Sequence, residues 1–142
     1  MAPRIHGARV LLVDDHPGVL RQVAEVLPAG FEVVATLQDG AALPAAMATH
    51  QPDLVVLDIT LPGASGIELA SRLRTAGHSG RVVFLTVHDD AEFIRAGFAA
   101  GGTGYVVKAR LATDLVPALE AALEGRRYVS PGAAREALHD EE

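Results

Sequence analysis

Three aspartates, a threonine and a lysine are the residues of this sequence that could do chemistry. Asp14 and Asp15 stand together in VLLVDDHPG, and Asp58 ends the apolar run of VVLDITLPG. Thr86 follows the apolar residues of VVFLTVHDD, and Lys108 those of GTGYVVKAR. If the five converge, three carboxylates meet and repel. Two like charges about 4 Å apart cost on the order of 4 kcal/mol at an effective dielectric of about 20. A cluster of that kind calls for a compensating cation. An all-oxygen donor set with room for waters suits Mg²⁺ better than a transition metal. The ammonium and the hydroxyl add what a phosphoryl group needs, a charge for its oxygens and a hydrogen-bond donor. A carboxylate can also attack phosphorus to give an aspartyl phosphate. The plainer alternative is that the aspartates are solvated loop residues capping helices, that Thr86 is structural and that Lys108 is a solvated charge. That alternative competes for each residue alone, and only the combination speaks against it.

Convergence depends on the elements that carry these residues. Ala8 to Val13 reads as a buried strand, followed by a helix with Pro17 in its first turn and Val19, Leu20, Val23, Val26 and Leu27 at helical spacing. Phe31 to Leu37 is a second strand. Asp39 to His50 is helical, with Pro44 requiring either a start at that residue or a distorted first turn. Leu54 to Leu57 is the third strand, and Ser65 caps a helix that Gly77 ends. Arg81 to Val87 is the fourth strand, and Asp89 or Asp90 caps the helix carrying Phe93, Ile94 and Phe98. Gly104 to Val107 is the fifth strand. Thr113 caps a last helix through Leu123, with Pro117 near its first turn. Five short unbroken apolar strands alternating with helices predict an α/β, doubly wound parallel sheet covered on both faces. Ligands of such sheets bind outside the carboxyl ends of the strands, where the strand order reverses. All five chemical residues sit at such ends.

Composition narrows the rest. The chain has 142 residues, 49% of them hydrophobic, enough for one domain with its own core. Residues 1–125 are assigned to that domain and 126–142 to a tail or linker with a short helix after Pro131. No cysteine is present, which excludes disulfides and thiolate metal sites. A net charge of −6 with scattered basic residues argues against direct nucleic-acid binding. No apolar run approaches the roughly 18 residues of a membrane span, and the N-terminus lacks a signal-peptide core, so a cytoplasmic protein is expected. His16 and His88 lie in different loops without zinc-ligand spacing. GGTG at Gly101 to Gly104 follows a helix rather than a strand, so it is no dinucleotide fingerprint.

VDDHP, LDITLPG, LTVHDD and GYVVK, in this order and spacing, resemble the receiver domains of bacterial two-component response regulators, over about Ala8 to Leu123. The resemblance implies the flavodoxin-like, five-stranded order 2-1-3-4-5. It implies that Asp58 is the phosphoacceptor and that Mg²⁺ is held by Asp14, Asp15, Asp58 and the backbone carbonyl of Thr60. Thr86 would be the switch hydroxyl, Tyr105 the switch aromatic and Lys108 the phosphate-pairing lysine. The implied donor is a phosphohistidine on a sensor histidine kinase or a phosphotransfer protein. Phosphorylation would then reshape the face of the fourth helix, fifth strand and fifth helix, with a phosphorylation-dependent homodimer as one outcome. The chain itself would catalyse phosphoryl acceptance and autodephosphorylation only. Leu61 and Ala109 stand where many relatives have Met and Pro, and neither touches the phosphate chemistry. Thr60 and His88 occupy positions that tune phosphoryl lifetime in the family. DDHP, TVHDD and GRRYVSP most resemble receivers that precede a helix-turn-helix DNA-binding domain. A regulator with a transcriptional output beyond Glu142 is therefore expected, with a stand-alone receiver acting through protein contacts as the alternative.

Overall fold

The computed structural model describes residues 7–131. Its elements are β1 (Ala8–Val13), α1 (Pro17–Val26), β2 (Phe31–Leu37), α2 (Leu43–His50), β3 (Leu54–Leu57), β4 (Thr60–Leu61), β5 (Ala64–Ser65), α3 (Gly66–Thr75), β6 (Arg81–Thr86), α4 (Ala91–Ala99), β7 (Gly104–Val107), α5 (Leu111–Leu123) and β8 (Tyr128–Val129). The main sheet runs β2-β1-β3-β6-β7-β8, every neighbouring pair parallel. The first five strands in that order are the five read from the sequence, in the arrangement 2-1-3-4-5.

Alternation along the strands builds two cores. Val10 and Leu12 of β1 face α1 and α5, in a cluster with Leu20, Val23, Leu115 and Leu119. Leu11 and Val13 face the other way, with Leu43 and Met47 of α2, Leu69 of α3, and Ile94 and Phe98 of α4. Fully burying each such aliphatic side chain contributes roughly 1.5–3 kcal/mol. That fixes the strand positions and therefore the rim. Val13 pairs with Leu57, Leu57 with Phe84, and Thr86 with Val107. Asp14, Asp58, Thr86 and Lys108 thus end neighbouring strands at one edge. β1 lies between β2 and β3, so the direction of winding reverses there, and Asp14 and Asp58 flank the crevice.

The structure departs from the sequence reading in several places. Tyr128–Val129 adds a sixth, two-residue parallel strand beside β7, drawn from the segment expected to be a tail. The turn after Asp58 is an antiparallel pair, β4 with β5, closed by Pro62 and by Gly63 at φ 70°. Pro at the second and a left-handed Gly at the third position is the chemistry of a type II turn. The fourth strand ends at Thr86, one residue early. α2 starts at Leu43, so Pro44 falls in its first turn and its missing N–H removes no helical bond. Asp90 caps α4, accepting from Phe93 N at 3.4 Å, whereas Ser65 precedes α3 without a side-chain cap. Thr113 is not a cap. A 3₁₀ turn over Lys108–Arg110 leads into α5 at Leu111, which leaves Thr113 and Pro117 inside the helix. The helix expected after Pro131 lies outside the described residues.

Candidate acidic phosphoryl site

β1, β3, β6 and β7 each bring a polar side chain to the rim where their apolar run ends. Asp58 is joined to β1 by its backbone N–H, which donates to Val13 O at 3.0 Å. Its carboxylate is almost entirely buried, as is that of Asp14. Asp15 is half-buried beside them. Lys108 reaches across from β7. Its ammonium donates to Asp58 Oδ2 at 3.0 Å and lies 2.8 Å from Asp14 Oδ2, a Coulombic contact outside hydrogen-bond geometry. Asp58 Oδ1 accepts from Thr60 N at 3.2 Å. Asp14 Oδ1 accepts from His16 N at 2.9 Å, and the His16 Nδ1 lies 3.2 Å from that oxygen and 3.1 Å from Asp15 Oδ1.

Burial raises the pKa of the Asp58 carboxyl above its ordinary value. The Lys108 hydrogen bond opposes the rise and the Asp14 charge adds to it. Burial pulls the Lys108 pKa down, but its close contacts with the Asp14 and Asp58 carboxylates outweigh that effect and hold it above its usual range. Lys108 is therefore a permanent cation near neutral pH. Three carboxylates against one ammonium leave the notch negative. Asp14 Oδ2 and Asp15 Oδ1 are buried without a hydrogen bond. Ligand atoms of Asp14, Asp15, His16 and Asp58 lie within 4.8 Å of one another. A negative pocket with orphaned hard oxygens fits a divalent cation held through carboxylates. The backbone carbonyl of Thr60 is compatible with that set. Gly66 N donates to Ile59 O at 2.6 Å, which makes Ile59 and Gly66 a hydrogen-bonded pair. Thr60 and Ser65 are then the alternate, unbonded pair, so the Thr60 carbonyl lies outside the ladder.

Thr86 and Tyr105 meet at His88, a convergence that the sequence reading missed. Thr86 Oγ1 accepts from His88 N at 3.2 Å, and the Tyr105 hydroxyl donates to His88 O at 3.0 Å. The His88 Nε2 lies 2.9 Å from Thr60 Oγ1, and its ring stacks on Phe93 at 4.1 Å. Residue 88 therefore ties the hairpin after Asp58, the end of β6, the β7 aromatic and α4 together. The sequence signal was present, since Thr60 and His88 each lie two residues beyond a strand-end polar group, but nothing in the chain order says they touch. Tyr105 is fully buried and occupies the inward position. Burial, then the charges of Asp90 and Asp89, push its phenol well above the ordinary value, so it stays a neutral donor. Phe98 is buried in the core, and Arg127 sits over its ring at 4.6 Å. Gly66 is a second residue the sequence reading passed over. A Cβ there would lie 2.0 Å from the Asp58 carbonyl oxygen.

Known proteins share this fold. The family model of the response regulator receiver domain matches residues 10–120, a span that includes all five strand-end polar residues. The probable transcriptional regulatory protein NarL of Mycobacterium tuberculosis is 31% identical over 133 residues, covering 91% of this chain and 61% of the relative. The chain thus spans about three fifths of the length of that curated relative. A crystal structure of a LuxR-family two-component response regulator from Aurantimonas sp. SI85-9A1 superposes with a TM-score of 0.85 at 39% identity, over 95% of this chain and 98% of that one. The isolated receiver domain of RcsB from Salmonella enterica serovar Typhimurium, in the presence of phosphomimetic BeF₃⁻, superposes with a TM-score of 0.83 at 25% identity, over 93% and 99% of the two chains.

Proposed function

From the premise that this chain belongs to the receiver domains of two-component response regulators, we propose that it accepts a phosphoryl group on Asp58 and passes the change to its α4-β7-α5 face. The observation that carries the reading is the Lys108 ammonium bridging two buried carboxylates, 3.0 Å from Asp58 and 2.8 Å from Asp14. A buried acid with a cation already at its oxygen is a nucleophile whose product charge has a partner in place. Asp14, Asp15, Asp58 and the Thr60 carbonyl would hold Mg²⁺, which would supply charge neutralisation for the phosphoryl oxygens.

The chain's own residues do the remainder. An Asp58 carboxylate oxygen attacks phosphorus of a phosphohistidine. The new O–P bond forms as the P–N bond breaks, and the electron pair leaves with the imidazole nitrogen. Lys108 shifts from the carboxylates toward the phosphoryl oxygens. Thr86 turns its hydroxyl from the His88 amide to donate to one of them. Tyr105 sits inward on the carbonyl of His88, and phosphorylation favours that packing by drawing Thr86 away. Coupling of this kind is typically ~1–3 kcal/mol, enough to bias a two-state equilibrium.

The donor is a sensor histidine kinase or phosphotransfer protein, and the site is cytoplasmic. Among the described residues no helix is long and apolar enough to cross a membrane. The downstream output is transcriptional, by analogy with the relatives, of whose length this chain spans about three fifths. A stand-alone receiver acting through protein contacts is the alternative. Incubation with labelled acetyl phosphate and Mg²⁺ tests the reading. The parent chain takes up label and Asp58→Asn does not; equal labelling of the two removes Asp58 from this role.

A further inference from the structure

The segment after α5 reaches back to the phosphoryl site. β8 lies along β7, with Tyr128 opposite Gly104 and Val129 opposite Tyr105. Ser130 N donates to Tyr105 O at 3.0 Å, and Ser130 Oγ accepts from Val107 N at 3.1 Å. Ser130 is fully buried, and so, very nearly, is the Asp114 carboxylate on the first turn of α5. The Ser130 hydroxyl and the Tyr128 phenol lie against Asp114 and help hold its carboxyl below the usual range. Arg110 grips the same carboxylate, Nε to Oδ2 at 2.7 Å and Nη2 to Oδ1 at 3.3 Å.

The endpoints of this network set it apart from a generic buried clamp. Val107 directly precedes Lys108, and Arg110 lies two residues after it. Lys108 is thus bracketed on both sides by groups that Ser130 and Asp114 hold. Tyr105, whose carbonyl Ser130 takes, is the buried aromatic on His88. A buried hydroxyl that joins a strand-end amide to a charged acceptor fixes both partners, and neither group has water to fall back on. From this placement we infer that Ser130, with Asp114, is a positioning residue for Lys108. The strap of residues 128–130 would then be a working part of the phosphoryl site. The inference rests on the phosphoryl-acceptor reading above. By linkage, an event at the site changes the hold of the strap by the same factor that the strap changes the site.

The test uses the full 142-residue chain and labelled acetyl phosphate with Mg²⁺, with urea midpoints recorded to confirm that each variant is folded. Ser130→Ala should slow initial labelling about tenfold, since an ångström of misplacement in a reacting group costs up to about 100-fold. Ser130→Thr, which restores the hydroxyl, should recover most of the rate. A double-mutant cycle separates positioning from general weakening. In a Lys108→Ala background, Ser130→Ala should have no further effect. Full-rate labelling by folded Ser130→Ala, or equal slowing in both backgrounds, overturns the inference. A second arm needs no variant. Beryllium fluoride with Mg²⁺ should alter amide exchange at Val107 and Ser130 in the parent and leave Asp58→Asn unchanged. A parent that takes up label yet shows unaltered exchange at both amides overturns the strap alone. Equal labelling of parent and Asp58→Asn overturns the site reading, and the strap falls with it.

Discussion

Gly66→Ala tests how the fold holds the acceptor. Gly66 opens α3 at the point where the β4–β5 hairpin folds back on Asp58. An added Cβ would stand 2.0 Å from the Asp58 carbonyl oxygen and 2.9 Å from both Asp58 C and Ile59 Cα. Ordinary contact begins at 3.4 Å, and all three neighbours are backbone, so no flexible side chain can yield. The hairpin must move by over an ångström. That movement pulls on Gly66 N, which donates to Ile59 O at 2.6 Å, and on Thr60 N, which donates to Asp58 Oδ1 at 3.2 Å. Overpacking of this kind costs about 1–3 kcal/mol of stability. A displacement of about 1 Å at a reacting group costs on the order of 100-fold in rate. Urea unfolding and the initial rate of acetyl phosphate labelling, corrected for the folded fraction, measure the two effects. A variant within about 0.5 kcal/mol of the parent and within twofold of its labelling rate would refute the reasoning, because it would show that Gly66 does not set the position of Asp58.

Thr86→Ala should still take up phosphoryl but no longer change oligomeric state on a sizing column; identical behaviour of phosphorylated parent and variant would remove Thr86 from the switch. p-Nitrophenyl phosphate should not be turned over. Phosphatases with an aspartyl nucleophile often carry an acid two residues on, and Thr60 stands there with its hydroxyl engaged by His88; sustained release of nitrophenol would contradict this. Asp114→Asn should reshape the pH dependence of stability. Burial pushes the Asp114 pKa up, but hydrogen bonds from Arg110 and Ser130 outweigh that and hold it below its usual value. A depressed carboxyl contributes stability above its unfolded pKa and loses it as pH falls through the folded one. The urea midpoints of parent and Asp114→Asn should therefore converge as pH drops from 7 to below about 4, the ordinary carboxylate range; a gap that stays constant would dismiss the ionised network.

The strand ends were legible because buried parallel strands read as unbroken apolar runs, and a polar residue closing such a run is conspicuous. Asp14, Asp58, Thr86 and Lys108 were all found that way, and the parallel register then brings them to one rim without further information. β8 was not legible. Tyr128 and Val129 are too few to show a period, and their strand exists only because β7 offers an unpaired edge. The β4–β5 hairpin was half legible: Pro62 and Gly63 announce the turn, but the ladder of Thr60 with Ser65 depends on contact with Asp58. Thr113 misled because threonine is a common cap, whereas the actual entry to α5 is the 3₁₀ turn that carries Lys108, with Arg110 gripping Asp114. His88 and Ser130 escaped for one reason. Their roles are made of contacts to residues 28 and 23 positions away in sequence, Thr60 and Val107, and such distances leave no local pattern.

The most direct test of the account is to locate the phosphoryl group. The chain is charged with acetyl phosphate and Mg²⁺, reduced with borohydride so that an acyl phosphate becomes homoserine, and digested for mass spectrometry. The account predicts homoserine at position 58 and nowhere else, with none formed when Mg²⁺ is chelated. Homoserine at Asp14 or Asp15, or a phosphoryl group on His16 or His88, would contradict it.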